Sequence, residues 1–283
     1  MELLADRDFL WLTGLLLALL ATGMVAGVLA GLLGVGGGIV IVPVLFHMFT
    51  LLGIDASVKM HLAVGTSLAT IVPTSITSAR AHARRGSLDR TLLRTLGPSL
   101  LAGVLIGSLL SGVLNGAVLT AVFATVALFV AAHMAFAPQN MVVADGLPPT
   151  PFRQTLGVLI GGVSTLMGIG GGTLSVPILS AFNYPIHRAV GTAAAIGALI
   201  SIPGSIALFV AGIDQPNRPP GSIGYINLLG VALIIPMTLV TAPWGVRLAH
   251  SLNARRLRQL FALFLFLTAI RMYYGLAESY MAG

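Results

Sequence analysis

The stretch Gly34-Val35-Gly36-Gly37-Gly38, running through apolar residues into Pro43, decides how this chain is read. It returns in the second half as Gly168-Ile169-Gly170-Gly171-Gly172, running into Pro177. Glycine costs about 1 kcal/mol against alanine in a helix interior, so a glycine cluster breaks a hydrophobic helix. In lipid such a break leaves backbone amides and carbonyls unpaired, which is tolerated only where protein or a wet cavity surrounds them. Two breaks at corresponding places in two half-chains point to the binding site of a transporter.

Composition sets the class. The chain is 57% hydrophobic and 8% charged, against about 25% charged in ordinary soluble domains, and its mean hydropathy is +0.99. Apolar runs long enough to cross a bilayer follow one another almost without pause, which makes a polytopic, all-α membrane protein of the 283 residues. The acidic start, Met1 to Asp8, leads into a long apolar segment and reads as retained rather than as a cleaved signal. Cysteine is absent, which removes disulfides and thiolate metal sites; neither a metal nor a cofactor is expected.

The net charge of +7 does not mark a nucleic-acid partner. Arg80, Arg84, Arg85, Arg90 and Arg94 form one cluster, and Arg247, Arg255, Arg256 and Arg258 another, both in short connections between apolar runs. There they mark the cytoplasmic side.

Outward from the breaks, the halves repeat. Gly34 aligns with Gly168 and Pro43 with Pro177 at one spacing; Ala63-Val64-Gly65-Thr66 aligns with Ala189-Val190-Gly191-Thr192 at a second, with His61 on His187. At a third, Pro98 aligns with Pro236, Gly107 with Gly245, and Leu114-Asn115 with Leu252-Asn253. Several identities in order make this an internal duplication: residues 1–137, a proline-bearing linker at 138–151, and residues 152–283. The basic connection follows the third run of the first half but the fourth run of the second, so the halves are expected to cross the membrane in opposite directions. Residues 152–167 and 173–182 are too short to span a core of about 30 Å. Each half is therefore expected to hold one broken, re-entrant hairpin and about three full spans, although five short crossings would give the same parity. Pro43 and Pro177 are expected to stop or bend the outgoing half-helices, and Pro73 to interrupt the third run.

Two helix N-termini converging at the midplane offer free amides and partial positive charge to an anion. The candidate binding residues are Gly36, Gly37, Gly38, Gly170, Gly171 and Gly172, with hydroxyls from Thr66, Ser67, Thr173 and Thr192. Against this stand plainer readings: close helix packing for the glycines, back-bonding to helix carbonyls for the hydroxyls, and headgroup snorkelling for Arg271. All eight acidic residues, Glu2, Asp6, Asp8, Asp55, Asp89, Asp145, Asp214 and Glu278, lie in connections or near the ends. Cation carriers usually place a carboxylate within a span, so the pattern disfavours a cation. Gly34–Gly38 is not followed by Lys and Ser/Thr, so no nucleotide loop drives transport. What remains is secondary transport, with a proton or sodium as coupling ion, or passive flow through a channel. An intramembrane enzyme using His47 or His133 as base lacks an activating partner at helical spacing.

The doubled Gly-x-Gly-Gly-Gly with its proline, Ala63 to Ser67, and His82-Ala83-Arg84-Arg85-Gly86 together resemble the sulfite exporter TauE/SafE family, from about Leu15 to Tyr274. The resemblance implies a bacterial inner-membrane permease exporting sulfite, organosulfonates or related small anions. Its motif falls on Gly34, Gly36, Gly37, Gly38, Pro43, Gly65, Thr66 and Ser67, then on Gly168, Gly170, Gly171, Gly172, Pro177, Gly191 and Thr192. Ala193 stands where the first half has Ser67, so the halves do not offer the same donors.

The orientation argument is checked by topology. Because the chain has no cysteine, Arg84→Cys and Arg256→Cys each introduce one label site. Both are expected to react with a membrane-impermeant maleimide only after cells are permeabilised; labelling from opposite faces would remove the antiparallel halves.

Overall fold

The computed structural model describes residues 9–33, 37–136, 143–248 and 254–281. Gly34, Val35 and Gly36 of the first glycine stretch, residues 137–142 and residues 249–253 lie outside them. The described chain is almost wholly helical. The first half gives α1 (Phe9–Leu33), α2 (Gly38–Leu51), α3 (Ala56–Arg84), α4 (Arg90–Val113) and α5 (Gly116–Phe136). The second gives α6 (Phe152–Met167), α7 (Gly172–Ala181), α8 (Ile186–Ala211), α9 (Leu228–Leu248) and α10 (Ala254–Met281). Six of these are long and apolar enough to cross a membrane, three from each half: α3, α4, α5, α8, α9 and α10. The chain is an all-α, multi-pass membrane protein.

Short polar residues set the helix starts. The carboxylate of Asp55 accepts from the amide of Ser57 at 2.8 Å and that of Asp89 from Leu92 at 2.9 Å. The side-chain carbonyls of Asn115 and Asn227 accept from Val118 at 2.9 Å and Gly230 at 2.8 Å. Each satisfies an amide that the first turn leaves orphaned. Helix α6 stops at Gly168, whose φ of 66° suits glycine, and Ile169 donates back to the Ser164 carbonyl at 2.9 Å.

None of the three prolines Pro43, Pro73 and Pro177 ends its helix. Pro43 and Pro177 lie within α2 and α7, which run on past them, and α3 is continuous through Pro73. A proline near a helix start removes only one hydrogen bond, and packed neighbours stabilise what remains. The half-helices begin at Gly38 and Gly172, the last glycine of each stretch. One feature carried no signal in the sequence reading: a two-stranded hairpin, Ser222–Ile223 against Ile226–Asn227, in the connection before α9.

Packing exchanges partners between the halves. Helix α1 packs chiefly on α9 and α4 on α6, while α3 pairs with α8 and α5 with α10. Helices α3 and α8 run in opposite directions: Leu68 lies against Gly204, Ser75 against Gly197, and Thr192 beside Asp89 just past the end of α3. The outer pairs approach through glycine. In α4–α6, Gly103 and Gly107 face Val158 and Gly162, and Gly157 and Gly161 face Ser99 and Leu100. In α1–α9, Gly23 and Gly27 face Ile234, Met237, Thr238 and Thr241. Small-residue packing of this kind lets backbones come close where lipid supplies no hydrophobic drive.

A Cβ at Gly161 would overlap the Leu100 carbonyl oxygen, whereas one at Gly14 in α1 meets nothing within 4 Å. Gly161→Ala is expected to destabilise the protein by roughly 1–3 kcal/mol through overpacking. Gly14→Ala should stabilise it by up to about 1 kcal/mol through helix propensity. Thermal unfolding of the two variants in detergent checks the contrast.

Candidate functional site

The two glycine breaks touch. A Cβ on Gly38 would lie 2.7 Å from the Gly168 carbonyl oxygen and 2.9 Å from the Ile169 Cα. The same carbonyl accepts a 2.7 Å hydrogen bond from the Ser67 hydroxyl on α3. Ser67 thus occupies one half's third helix while satisfying the other half's break. Gly37, at φ 75°, is pressed against the Ala26 carbonyl of α1. No L side chain fits that space or that backbone angle comfortably.

Beside this contact lies a cavity of about 290 Å³. Its floor is Gly170 and Gly172; its walls are Thr74, Ser75 and Ser78 of α3, Ala193, Ala194 and Gly197 of α8, Ala30 and Gly31 of α1, and Leu239, Ala242 and Pro243 of α9. His82 and Arg85 line it toward the first arginine cluster. The amides of Gly170, Gly171 and Gly172 donate to no protein acceptor among the described residues. The Thr173 hydroxyl next to them is buried and likewise unpartnered. Free amides at a helix start, a guanidinium, an imidazole and several hydroxyls make a surface suited to an oxyanion.

The candidate residues therefore divide. Gly170 and Gly172 line the cavity, Gly171 lies behind them against Ile196, and Thr173 sits in the same first turn. Gly37, Gly38 and Ser67 build the contact between breaks, and Gly36 lies outside the described residues. Thr66 and Thr192 are engaged elsewhere. The Thr66 hydroxyl accepts from the Asn227 amide at 2.9 Å and that of Thr192 from the Asp89 amide at 3.0 Å. These bonds match under exchange of the halves, each tying a third helix to the cap of the other half's fourth.

The Thr192 clamp carries further bonds. The Tyr184 hydroxyl donates to the Asp89 carboxylate, and the Arg188 guanidinium lies 3.8 Å from it. The Tyr184 bond, with the Leu92 amide, holds the Asp89 carboxyl below its ordinary value. Burial, then the Asp89 carboxylate, pushes the Tyr184 phenol up to about 12.

Sequence reasoning missed Thr74, Ser75, Ser78, His82 and Arg85. The arginine looked like a topology signal, but Thr74, Ser78 and His82 recur every four residues, which places them on one face of α3. That polar stripe, entering an apolar helix and ending at Arg85, is the signal that would have found them.

Among the described residues, the matching flank of the other half is filled. The spacing that aligns Thr66 with Thr192 aligns Ser67, Leu68 and Ile71 with Ala193, Ala194 and Gly197. Where the second half has small residues, the first has a plug. Ile71 packs on Gly38, Leu68 packs on Gly204, and both side chains are fully buried. The space beside Gly172 is open toward Arg85, while the matching space beside Gly38 is filled. Among the described residues no group of three or more His, Asp or Glu gathers to hold a metal ion.

The sulfite exporter TauE/SafE family matches residues 19–272. The chain belongs to that family. Its relatives include a probable membrane transporter protein of Haemophilus influenzae, 37% identical over 263 residues, covering 92% of this chain and 98% of the relative. One from Methanocaldococcus jannaschii is 30% identical, covering 86% and 90%, and one from Bacillus subtilis is 24% identical, covering 90% and 96%. Both are also named probable membrane transporter proteins. No solved structure matches the chain. Membership in the TauE/SafE family and these relatives make the protein a membrane transporter, not an enzyme.

Gly197→Leu is expected to fill the cavity, because a Cβ there meets only the Ser75 Cβ at 3.4 Å and the Gly171 amide at 3.9 Å. Transport should fall at least tenfold while the detergent-purified protein keeps its melting temperature within a few degrees. Normal flux through this variant would place the substrate elsewhere.

Proposed function

We propose that this TauE/SafE protein is a secondary exporter of small sulfur-containing anions, sulfite or organosulfonates, in a bacterial inner membrane. The single observation that carries the reading is the cavity of about 290 Å³ in which Arg85 and His82 face the unpaired amide end of α7. A sulfite or sulfonate head presents three oxygens on one sulfur. Converging N–H groups suit these acceptors, and Arg85 supplies a matching charge. None of the residues lining the cavity is a carboxylate, which disfavours a cationic substrate. The family description, sulfite exporter, supports the choice of anion.

The mechanism follows from the asymmetry between the halves. The anion enters from the Arg85 side, where Ala193, Ala194 and Gly197 leave room. Leu68 and Ile71 close the opposite route. Rocking of α3 against α8 about the Ser67–Gly168 contact would exchange the open and filled spaces, exposing the anion to the far face. The opposed directions of α3 and α8, and the partner exchange between halves, support an inverted repeat as the source of these two states. The halves would then be residues 1–137 and 152–283. A coupled proton or sodium would set the direction of flux. The filled space at Leu68 and Ile71 counts against a passive channel, which needs one continuous opening.

Reconstituted vesicles loaded with sulfite give the test. Arg85→Gln is expected to lower uptake or efflux at limiting substrate by ten- to a hundredfold, and Arg85→Lys by less. Flux that saturates and is accelerated by sulfite on the opposite side marks a carrier. Linear flux without counterflow would mark a channel, and wild-type flux in Arg85→Gln would remove the proposed anion site.

A further inference from the structure

A second, larger cavity, of about 510 Å³, lies at the opposite end of α3 from Arg85. Its walls come from the last turns of α2 and α10 and the first turns of α3 and α5. Three basic side chains line it: His47 on α2, Lys59 on α3 and Arg271 on α10. All three belong to helices of the membrane domain, and Arg271 lies inside the apolar stretch Phe261–Glu278, about two turns before its end. An ionisable group at such depth is costly, and one that lines a cavity is suited to a polar occupant.

The acidic groups sit farther out. Glu278 shares the cavity wall but lies at the end of that apolar stretch, and Asp55, just before α3, is bonded to Ser57 and Asn217. Lys59 is steadied over the Phe46 ring, 4.8 Å from its centroid, and Arg271 lies 5.8 Å from that of Tyr274. Such contacts hold a cation in place; Asp55 also attracts Lys59, while Arg271 lies deeper in its apolar stretch than Glu278. The first turns of α3 and α5, capped by Asp55 and Asn115, border the same space. The inner part of the cavity is thus positive, with side chains already positioned.

We infer that this cavity is a second anion site, distinct from the one beside Gly172, and that it takes a tetrahedral oxyanion group of the phosphate or sulfate kind. Two sources carry that group to the outer third of a membrane: a free anion, or the headgroup of an anionic lipid whose chains lie along the exposed side chains of Leu267, Ile270 and Tyr274 on α10. The inference does not depend on the transport reading, since no residue is shared between the cavities.

The test uses full-length protein in neutral detergent, carrying Arg85→Gln so that the first cavity does not contribute. Its melting temperature is followed against sodium sulfate at fixed ionic strength in chloride, and against phosphatidylglycerol with phosphatidylcholine as control. A ligand of the native state raises the midpoint. The expected result is a saturating rise with one probe. Lys59→Gln with Arg271→Gln should move the half-maximal concentration up at least tenfold, and Lys59→Arg with Arg271→Lys should restore it. If the double glutamine variant does not fold, each single variant is expected to shift the midpoint at least threefold. A sulfate response identifies a free anion; a response to phosphatidylglycerol alone identifies a lipid headgroup. No rise with either probe, or a rise that survives loss of both charges, overturns the site.

Discussion

A backbone that leaves its helix inside a membrane has to find partners in protein, because lipid offers none. Here the two interruptions lean on each other. The carbonyl that ends α6, at Gly168, is capped by a serine from α3, and Gly38 at the start of α2 lies directly against it. Neither approach leaves room for a side chain. The pairing of α3 with α8, and the exchanged pairs α1–α9 and α4–α6, surround that one contact.

Once the breaks are joined, residue size decides where space remains. Ala193, Ala194 and Gly197 stand opposite the positions that Ser67, Leu68 and Ile71 fill in the other half. One flank of the joined breaks is therefore solid and the other hollow. The hollow flank collects what an anion needs: unpaired amides at Gly170–Gly172, hydroxyls along α3, and a guanidinium at the mouth. Thr66 and Thr192 serve differently, each locking a loop of the opposite half to a third helix.

Much of the fold was legible because its signals are local or repeated. The glycine stretches marked the starts of α2 and α7, and segment lengths set α6 and α7 apart from the long helices. Other readings failed for physical reasons. Pro73 looked like an interruption, yet a helix enclosed by neighbours tolerates the loss of one hydrogen bond. The hairpin at Ser222–Asn227 is too short for any alternation to show. Of the cavity, the floor glycines were singled out from the sequence and the walls were not. Arg85 was hidden in a basic cluster whose topological meaning was sufficient by itself. Thr66 and Thr192 carried the right chemistry for a ligand but were committed to backbone partners that only the tertiary structure brings near.

The account depends on α3 and α8 crossing beside the joined breaks with the hollow between them. A cysteine pair tests this directly, since the chain has no other cysteine. The Ser75 Cβ lies 3.4 Å from where a Gly197 Cβ would be, close to the separation a disulfide requires, about 3.5–4.5 Å. Ser75→Cys with Gly197→Cys, oxidised in membranes and mapped by mass spectrometry of the linked peptides, should cross-link rapidly. Transport should stop on oxidation and return on reduction. Two free thiols after oxidation, or full transport through the cross-linked protein, would contradict the arrangement.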